Sequence, residues 1–208
     1  MQYCEAAIAF NRFEPWNAWS NVGFIVAAFI ALIFARRVGA ASPTVYVLGG
    51  FAFAIGAGSF AWHATHRPWA EFADVIPILG FVLIFLFHAL RMLGRTRTQS
   101  WCGCGVMLGS IVAIGLRWPT ALNGSFAYVP VLIGLGVLAA LNRIATVRRQ
   151  LLGAVLAFAV SLSMRTLDPV VCSHFAHGSH WLWHLLNSVV IFIALRVASH
   201  GAPASILR

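Results

Sequence analysis

Lysine is absent from this 208-residue sequence and acids are scarce: all fourteen basic residues are Arg, and only five residues are Asp or Glu. Charged residues make up 9% of the chain, whereas a soluble domain of this size carries roughly a quarter. That shortage excludes an ordinary water-soluble globule and points to a membrane protein. The net charge of +9 does not signal nucleic acid, because the Arg residues stand in short gaps between apolar runs rather than along one basic face. Cysteine is sparse too. Cys4, Cys102, Cys104 and Cys172 form neither a disulfide framework nor a zinc-finger spacing. No basic stretch followed by an apolar core opens the chain, so the first membrane helix is expected to act as its own insertion signal. Apolar/polar alternation is missing, which excludes an outer-membrane barrel. There is no fixed-period repeat and no long linker.

What is present is apolar sequence: 61% hydrophobic residues and a mean hydropathy of +0.86. A membrane-spanning helix needs about 20 such residues. Seven runs qualify, over 16–35, 44–63, 71–93, 101–116, 127–141, 151–164 and 181–198; the ends of the fourth to sixth are the least defined. The expectation is an all-α membrane protein, a seven-transmembrane-helix bundle forming one domain over 1–208, with antiparallel neighbours because the loops are short. With seven spans the termini fall on opposite sides. Ten Arg (36, 37, 91, 95, 97, 143, 148, 149, 196, 208) collect on one side and four (12, 67, 117, 165) on the other. The positive-inside rule then puts the amino terminus outside and the carboxy terminus in the cytoplasm. All five acids, Glu5, Glu14, Glu71, Asp74 and Asp168, fall on or near the outer side. So do six of the eight histidines, while His88 lies deep in the third span and His200 in the cytoplasmic tail.

The second span ends in Gly56-Ala57-Gly58-Ser59-Phe60-Ala61-Trp62-His63. Ser59 and His63 share a helical face, and the glycines let another helix approach closely. The third span opens with Glu71-Phe72-Ala73-Asp74-Val75-Ile76-Pro77, which puts Asp74 at the depth of Ser59. The seventh opens with His180-Trp181-Leu182-Trp183-His184, two histidines on one face about 6 Å apart along the axis. Such a pair binds one metal from a single helix in zinc proteases, and three protein ligands with an open position make the catalytic zinc pattern. His63, His180 and His184 supply three imidazoles, Asp74 a carboxylate able to take a proton from metal-bound water, and Ser59 a hydroxyl for the water or a developing oxyanion. Each has a plain alternative. A helix-end histidine reads as interfacial polarity, Ser59 as a back-bonded helix serine, and Asp74 as a charge facing the helix dipole. Five such residues at one level shift the balance towards a metal site, because ionisable groups in a bilayer usually face a functional interior.

At these residues the sequence resembles the alkaline ceramidase family, within the superfamily that includes adiponectin-type receptors. The matching stretches are Glu14-Pro15-Trp16-Asn17-Ala18-Trp19-Ser20-Asn21, Gly58-Ser59 through His63, Ala73-Asp74-Val75-Ile76-Pro77, and His180 through Asn187. The resemblance implies an integral-membrane zinc amidase that hydrolyses the N-acyl bond of ceramide-like lipids to a fatty acid and a long-chain amino alcohol. It implies His63, His180 and His184 as zinc ligands, Asp74 as base and then acid, and Ser59 at the oxyanion. The family also has a calcium site built on an Asp-Trp-Cys-Glu-x-Asn segment and a later Glu. Here the segment reads Gln2-Tyr3-Cys4-Glu5-Ala6-Ala7. Glu5 and Glu14 match, but the Asp and Asn ligands are Gln2 and Ala7, which puts calcium in doubt because that ion takes six to eight oxygens.

Cys4 and Cys172 both fall on the outer side, where a disulfide is permitted; each is equally readable as a packing residue. Asp168 can pair with Arg165 or support a zinc-bound histidine from behind. Two other functions compete: a receptor-like lipid sensor with structural zinc, and a haem protein using His63, His88 or His184. Only a short tail follows Ala198, which weighs against signalling. The paired histidines of the seventh span suit one metal better than stacked haems. The expected partners are the membrane and an N-acyl lipid arriving from the bilayer, with no nucleic acid. The Arg-only basic set and trimmed loops suggest a bacterial chain, which puts the site on the periplasmic or extracellular side of the cytoplasmic membrane.

Overall fold

The computed structural model describes residues 3–9 and 12–201; Gln2 and Arg208 lie outside that set. Nine α-helices and a 3₁₀ stretch run along it: α1 (Cys4–Ile8), α2 (Pro15–Ser20), α3 (Val22–Arg37), α4 (Pro43–Thr65), α5 (Pro68–Met92), α6 (Arg97–Arg117), the 3₁₀ stretch (Ala121–Tyr128), α7 (Val129–Leu141), α8 (Ala145–Val171) and α9 (His180–Ala198). No strand occurs among the described residues. Seven stretches are long and apolar enough to cross a membrane, the first being α2 and α3 together and the fifth the 3₁₀ stretch with α7.

Local chemistry sets the ends. Proline opens α2, α4 and α5, at the one helical position where its missing N–H costs nothing. Ser42 caps α4 through the Val45 amide, and Thr96 with Gln99 forms a capping box on α6. The expected first span, 16–35, is broken at Asn21, whose amide closes α2 onto Ala18 and Trp19. The expected sixth, 151–164, is far too short, since α8 reaches Val171. Arg165 and Asp168 looked like its polar end, but both are buried inside the bundle. In the fifth span, three consecutive left-handed residues (Leu122, Asn123 and Gly124) break the 3₁₀ stretch. It is pinned to α8 by Asn123 Nδ2 donating to the Arg165 carbonyl (3.1 Å) and Thr166 Oγ1 donating to that of Leu122 (3.3 Å).

The spans close into a ring in which α3, α4, α5, α6, α7, α8 and α9 each pack on the next and α9 returns to α3, while α9 also reaches α4 and α5. Alanines 27, 28, 31 and 35 on α3 are fully packed, and such small residues let membrane helices approach. Large apolar side chains such as Phe29, Phe72, Val106, Leu116 and Leu156 stand exposed on the ring's exterior, the face a bilayer solvates. The closest approach lies between α4 and α5. A Cβ on Gly58 would sit 1.9 Å from the carbonyl oxygen of Ala73, so only glycine fits. That carbonyl is the one Pro77, four residues on, leaves without its helical donor. The α4–α5 contact thus fixes Ser59 beside Asp74. Gly56 turns the other way, towards Ile25 and Asn21 of the first span.

Candidate metal site and cavity

Three histidines meet where α4 ends and α9 begins. His63, His180 and His184 each present a ring nitrogen within 4.8 Å of the others', and all are at most 2% exposed. Their ring centroids are 4.6 to 5.3 Å apart, too close to admit a porphyrin between them. His88 takes no part, since its Nε2 pairs with the Ala198 carbonyl (3.2 Å) near the far end of the bundle.

The groups behind the rings set their tautomers. Nδ1 of His63 lies 2.8 Å from Glu14 Oε2. A carboxylate only accepts, so Nδ1 carries the proton and Nε2 offers its lone pair. Nδ1 of His184 lies 2.8 Å from Ser20 Oγ, and that hydroxyl already donates to the Asn17 carbonyl at 2.9 Å. Ser20 has no second proton, so His184 Nδ1 donates and Nε2 is again left bare. Nδ1 of His180 is buried, and among the described residues no hydrogen-bond donor or acceptor reaches it. Two bare, converging Nε2 atoms and a third ring with an unsatisfied nitrogen form a donor set that suits a metal ion, with the outer hydrogen bonds that such ligands normally have. The buried histidine triad could hold a metal ion.

Asp74 and Ser59 belong to the same place. Both line the cavity that the three histidines line, Ser59 hydrogen-bonds Asp74, and Asp74 Oδ1 is buried with no partner among the described residues. The cavity, about 400 Å³, continues inward past Phe81, Phe85, Leu86, Met107, Leu138 and Ala194. From His184 to Ala194 is ten residues of α9, about 15 Å of axis. One end is therefore polar and ionisable, and the rest is a hydrocarbon-lined arm.

Glu5 and Glu14 are both buried, but neither is arranged as an open oxygen cage. Glu5 accepts the backbone amides of Trp16 and Asn17 (2.8 Å each), with His177 Nδ1 at 3.5 Å. Glu14 accepts from the Asn17 side chain (2.7 Å), faces His63, and has His66 Nε2 at 2.5 Å. Asn17 thus bridges the two carboxylates. Burial pushes the Glu14 carboxyl up, but the hydrogen bond and charge of His63, aided by Asn17 and His66, outweigh it and hold it below its ordinary value.

Cys4 and Cys172 are joined as a disulfide with Cα atoms 5.3 Å apart, which brings the amino-terminal segment over the site. Tyr3 stacks on His180 at 3.7 Å between centroids, and burial raises its phenol well above the usual range, keeping it neutral. Asp168 resolves as neither a partner of Arg165 alone nor a hydrogen bond to an imidazole. Its Oδ1 accepts the amides of Ser179 (2.6 Å) and His180 (2.8 Å), and its Oδ2 that of Cys4 (2.8 Å). It caps α9 from α8 and so sets His180 through the backbone. Gly178, at φ +64, leaves room for that carboxylate, because a Cβ there would lie 2.1 Å from Asp168 Oδ1.

Sequence reasoning gave Ser20, Asn17, Tyr3 and Tyr128 no role and treated Arg165 chiefly as loop charge. A signal existed for the first two: Glu14, Asn17 and Ser20 recur at intervals of three in an otherwise apolar stretch. A family model described as Ceramidase matches residues 1–200. No curated protein matches the chain.

Proposed function

Because the chain belongs to the ceramidase family, whose activity is lipid amide hydrolysis, we propose that it is a single-domain, zinc-dependent intramembrane amidase cleaving the N-acyl bond of a ceramide-like lipid. The observation that carries this is the triad and Asp74 lining the polar end of a cavity whose remainder is hydrocarbon-lined. His63, His180 and His184 hold the ion. Zinc so held supplies Lewis-acid polarisation of a carbonyl and acidifies water. Glu14 and Ser20 keep two of the imidazoles in the ligating tautomer. Asp74 takes the proton of the attacking water and returns it to the departing amine nitrogen. One water is consumed, the C–N bond breaks, and a fatty acid and an amine leave. Ser59 orients Asp74 while it is ionised; once Asp74 is protonated, the hydroxyl loses its charged acceptor and is free to donate to the oxyanion. The acyl chain occupies the apolar arm.

The layer holding the acids and the ligands faces outward in this reading, at the periplasmic or extracellular side of the cell membrane, with the Arg-rich ends inside. Calcium is left out of this reading because the Asp and Asn of the family's calcium segment are Gln2 and Ala7 here, and that ion takes six to eight oxygens. A sensor with structural zinc would have no use for Asp74 beside the triad. The test is Asp74→Asn assayed for metal content and for fatty-acid release from an N-acyl lipid in detergent. The expected result is full metal occupancy with turnover reduced by about 10²–10⁴. Unchanged turnover with zinc retained removes Asp74 from the mechanism, and no fatty-acid release by metal-loaded wild type favours the sensor.

A further inference from the structure

One more polar group faces the cavity, at the point where its ionisable end gives way to hydrocarbon. Past His184, the α9 residues that line it are Asn187, Val190, Ile191 and Ala194, so Asn187 is the last polar side chain on that wall. Its orientation is fixed from behind. Nδ2 lies 2.9 Å from both Ser161 Oγ and the Trp183 carbonyl. The carbonyl only accepts, and the Ser161 hydroxyl already gives its one proton to that same carbonyl (3.0 Å). Both partners therefore require an N–H, so the nitrogen stands on the α8 side and Oδ1 on the other. Among the described residues no donor reaches Oδ1, and it is not sealed from the cavity that Asn187 lines. An oriented amide oxygen with open lone pairs thus stands where the apolar arm begins. A site with such an acceptor discriminates against any ligand that leaves it unpaired.

We propose that Asn187 Oδ1 accepts a hydrogen bond from a hydroxyl on the acyl chain, close to the scissile carbonyl, so that the preferred substrates are N-(3-hydroxyacyl) lipids rather than plain N-acyl lipids. This rests on the amidase reading, with the carbonyl at the triad and the acyl chain in the apolar arm, and narrows it. Asn187 follows His184 by three residues, about 4.5 Å further along the α9 axis and on the same face. An extended acyl chain advances roughly 1.3 Å per carbon, so a hydroxyl on carbon 3 comes within hydrogen-bond reach of that level. The amide nitrogen does not compete for the same atom, since the mechanism above holds it at Asp74. A hydroxyl placed deeper would meet Ile191, Ala194 and their apolar neighbours, where leaving it unpaired is costly.

The experiment compares the ethanolamides of palmitic, 3-hydroxypalmitic and 9-hydroxypalmitic acid on the metal-loaded protein and on Asn187→Leu and Ser161→Ala. Fatty-acid release and binding, read from quenching of tryptophan fluorescence, are both followed, and each lipid is scored relative to the palmitoyl one. Leucine keeps the branched shape and strands no buried partner, because Ser161 still donates to the Trp183 carbonyl. Ser161→Ala loosens the tie to α8 but leaves the carboxamide oriented by that carbonyl. Wild type is expected to favour the 3-hydroxy lipid by about three- to tenfold in KM and in binding, with the 9-hydroxy lipid the poorest. Asn187→Leu loses that preference and Ser161→Ala keeps it. The wild-type comparison alone can overturn the proposal, by equal handling of the palmitoyl and 3-hydroxy lipids or by equal favour for both hydroxy lipids, the result expected of solubility. A preference that survives in Asn187→Leu, or that disappears in Ser161→Ala as well, also overturns it, since either result takes the effect away from Oδ1. Tighter binding of the 3-hydroxy lipid with no lipid cleaved leaves this assignment standing and rejects the amidase reading. Cleavage of all three without preference does the reverse.

Discussion

At the scale of single residues, the polar groups behind the imidazoles decide whether they can ligate. Glu14 orients His63 and also receives Asn17 and His66. Replacing it by Gln keeps the shape but removes the only-accepting partner, so His63 can flip tautomer. Zinc affinity is expected to fall by about 10–100-fold, measured by competition with a chromophoric chelator; an unchanged affinity contradicts the tautomer argument. The same residue gives a pH dependence with a definite sign. The folded carboxyl lies below its ordinary 4.5, so its contribution is complete above that value and is lost as pH falls through the depressed folded value. Acid melting curves of wild type and Glu14→Gln should therefore differ most above 4.5 and converge as pH falls through the depressed value. The convergence of His63, His180 and His184 was legible in the sequence because helical spacing reveals depth, and all three fall at one level. Ser20 and Arg165 were not, because their roles depend on which neighbouring helix they face, and hydropathy carries no such information.

At the scale of elements, the site depends on two close fits. Gly58 admits the Ala73 carbonyl, so Gly58→Ala must push α5 away and separate Ser59 from Asp74. Gly50 lies in the same helix with open space around its Cα, so Gly50→Ala should be neutral or stabilising by up to about 1 kcal/mol. Thermal melting and turnover of the two variants check this, and equal behaviour of the pair contradicts it. The Cys4–Cys172 disulfide closes a separation of 168 residues and holds Tyr3 on His180. Cys4→Ser should lower stability by roughly 2–4 kcal/mol and weaken metal retention, read from melting with and without a chelator. The pairing was only one of two readings of the sequence, since both cysteines lie in outer segments whose proximity is set by the tertiary fold. Helix ends failed for a related reason. α8 continues through Arg165, Thr166 and Asp168 because the bundle supplies aromatic faces and backbone amides to receive them, partners invisible to a hydropathy window.

At the scale of the whole molecule, seven spans close a ring around a cavity that is ionisable at one end and hydrocarbon-lined along the rest. Span number and class were plain in the sequence, because lipid allows few alternatives to a bundle of apolar helices. The cavity was not, since it is a property of packing between Phe81, Met107, Leu138 and their neighbours rather than of any one run. Whether the histidine triad binds a catalytic zinc ion is read from a zinc titration of chelator-stripped protein, with fatty-acid release from an N-acyl lipid as the readout. Activity is expected to be absent without metal, to rise linearly with added zinc and to saturate at one ion per chain, with no such response in His184→Ala. Turnover that survives stripping, or a titration in which His184→Ala matches wild type, contradicts catalytic zinc at the triad.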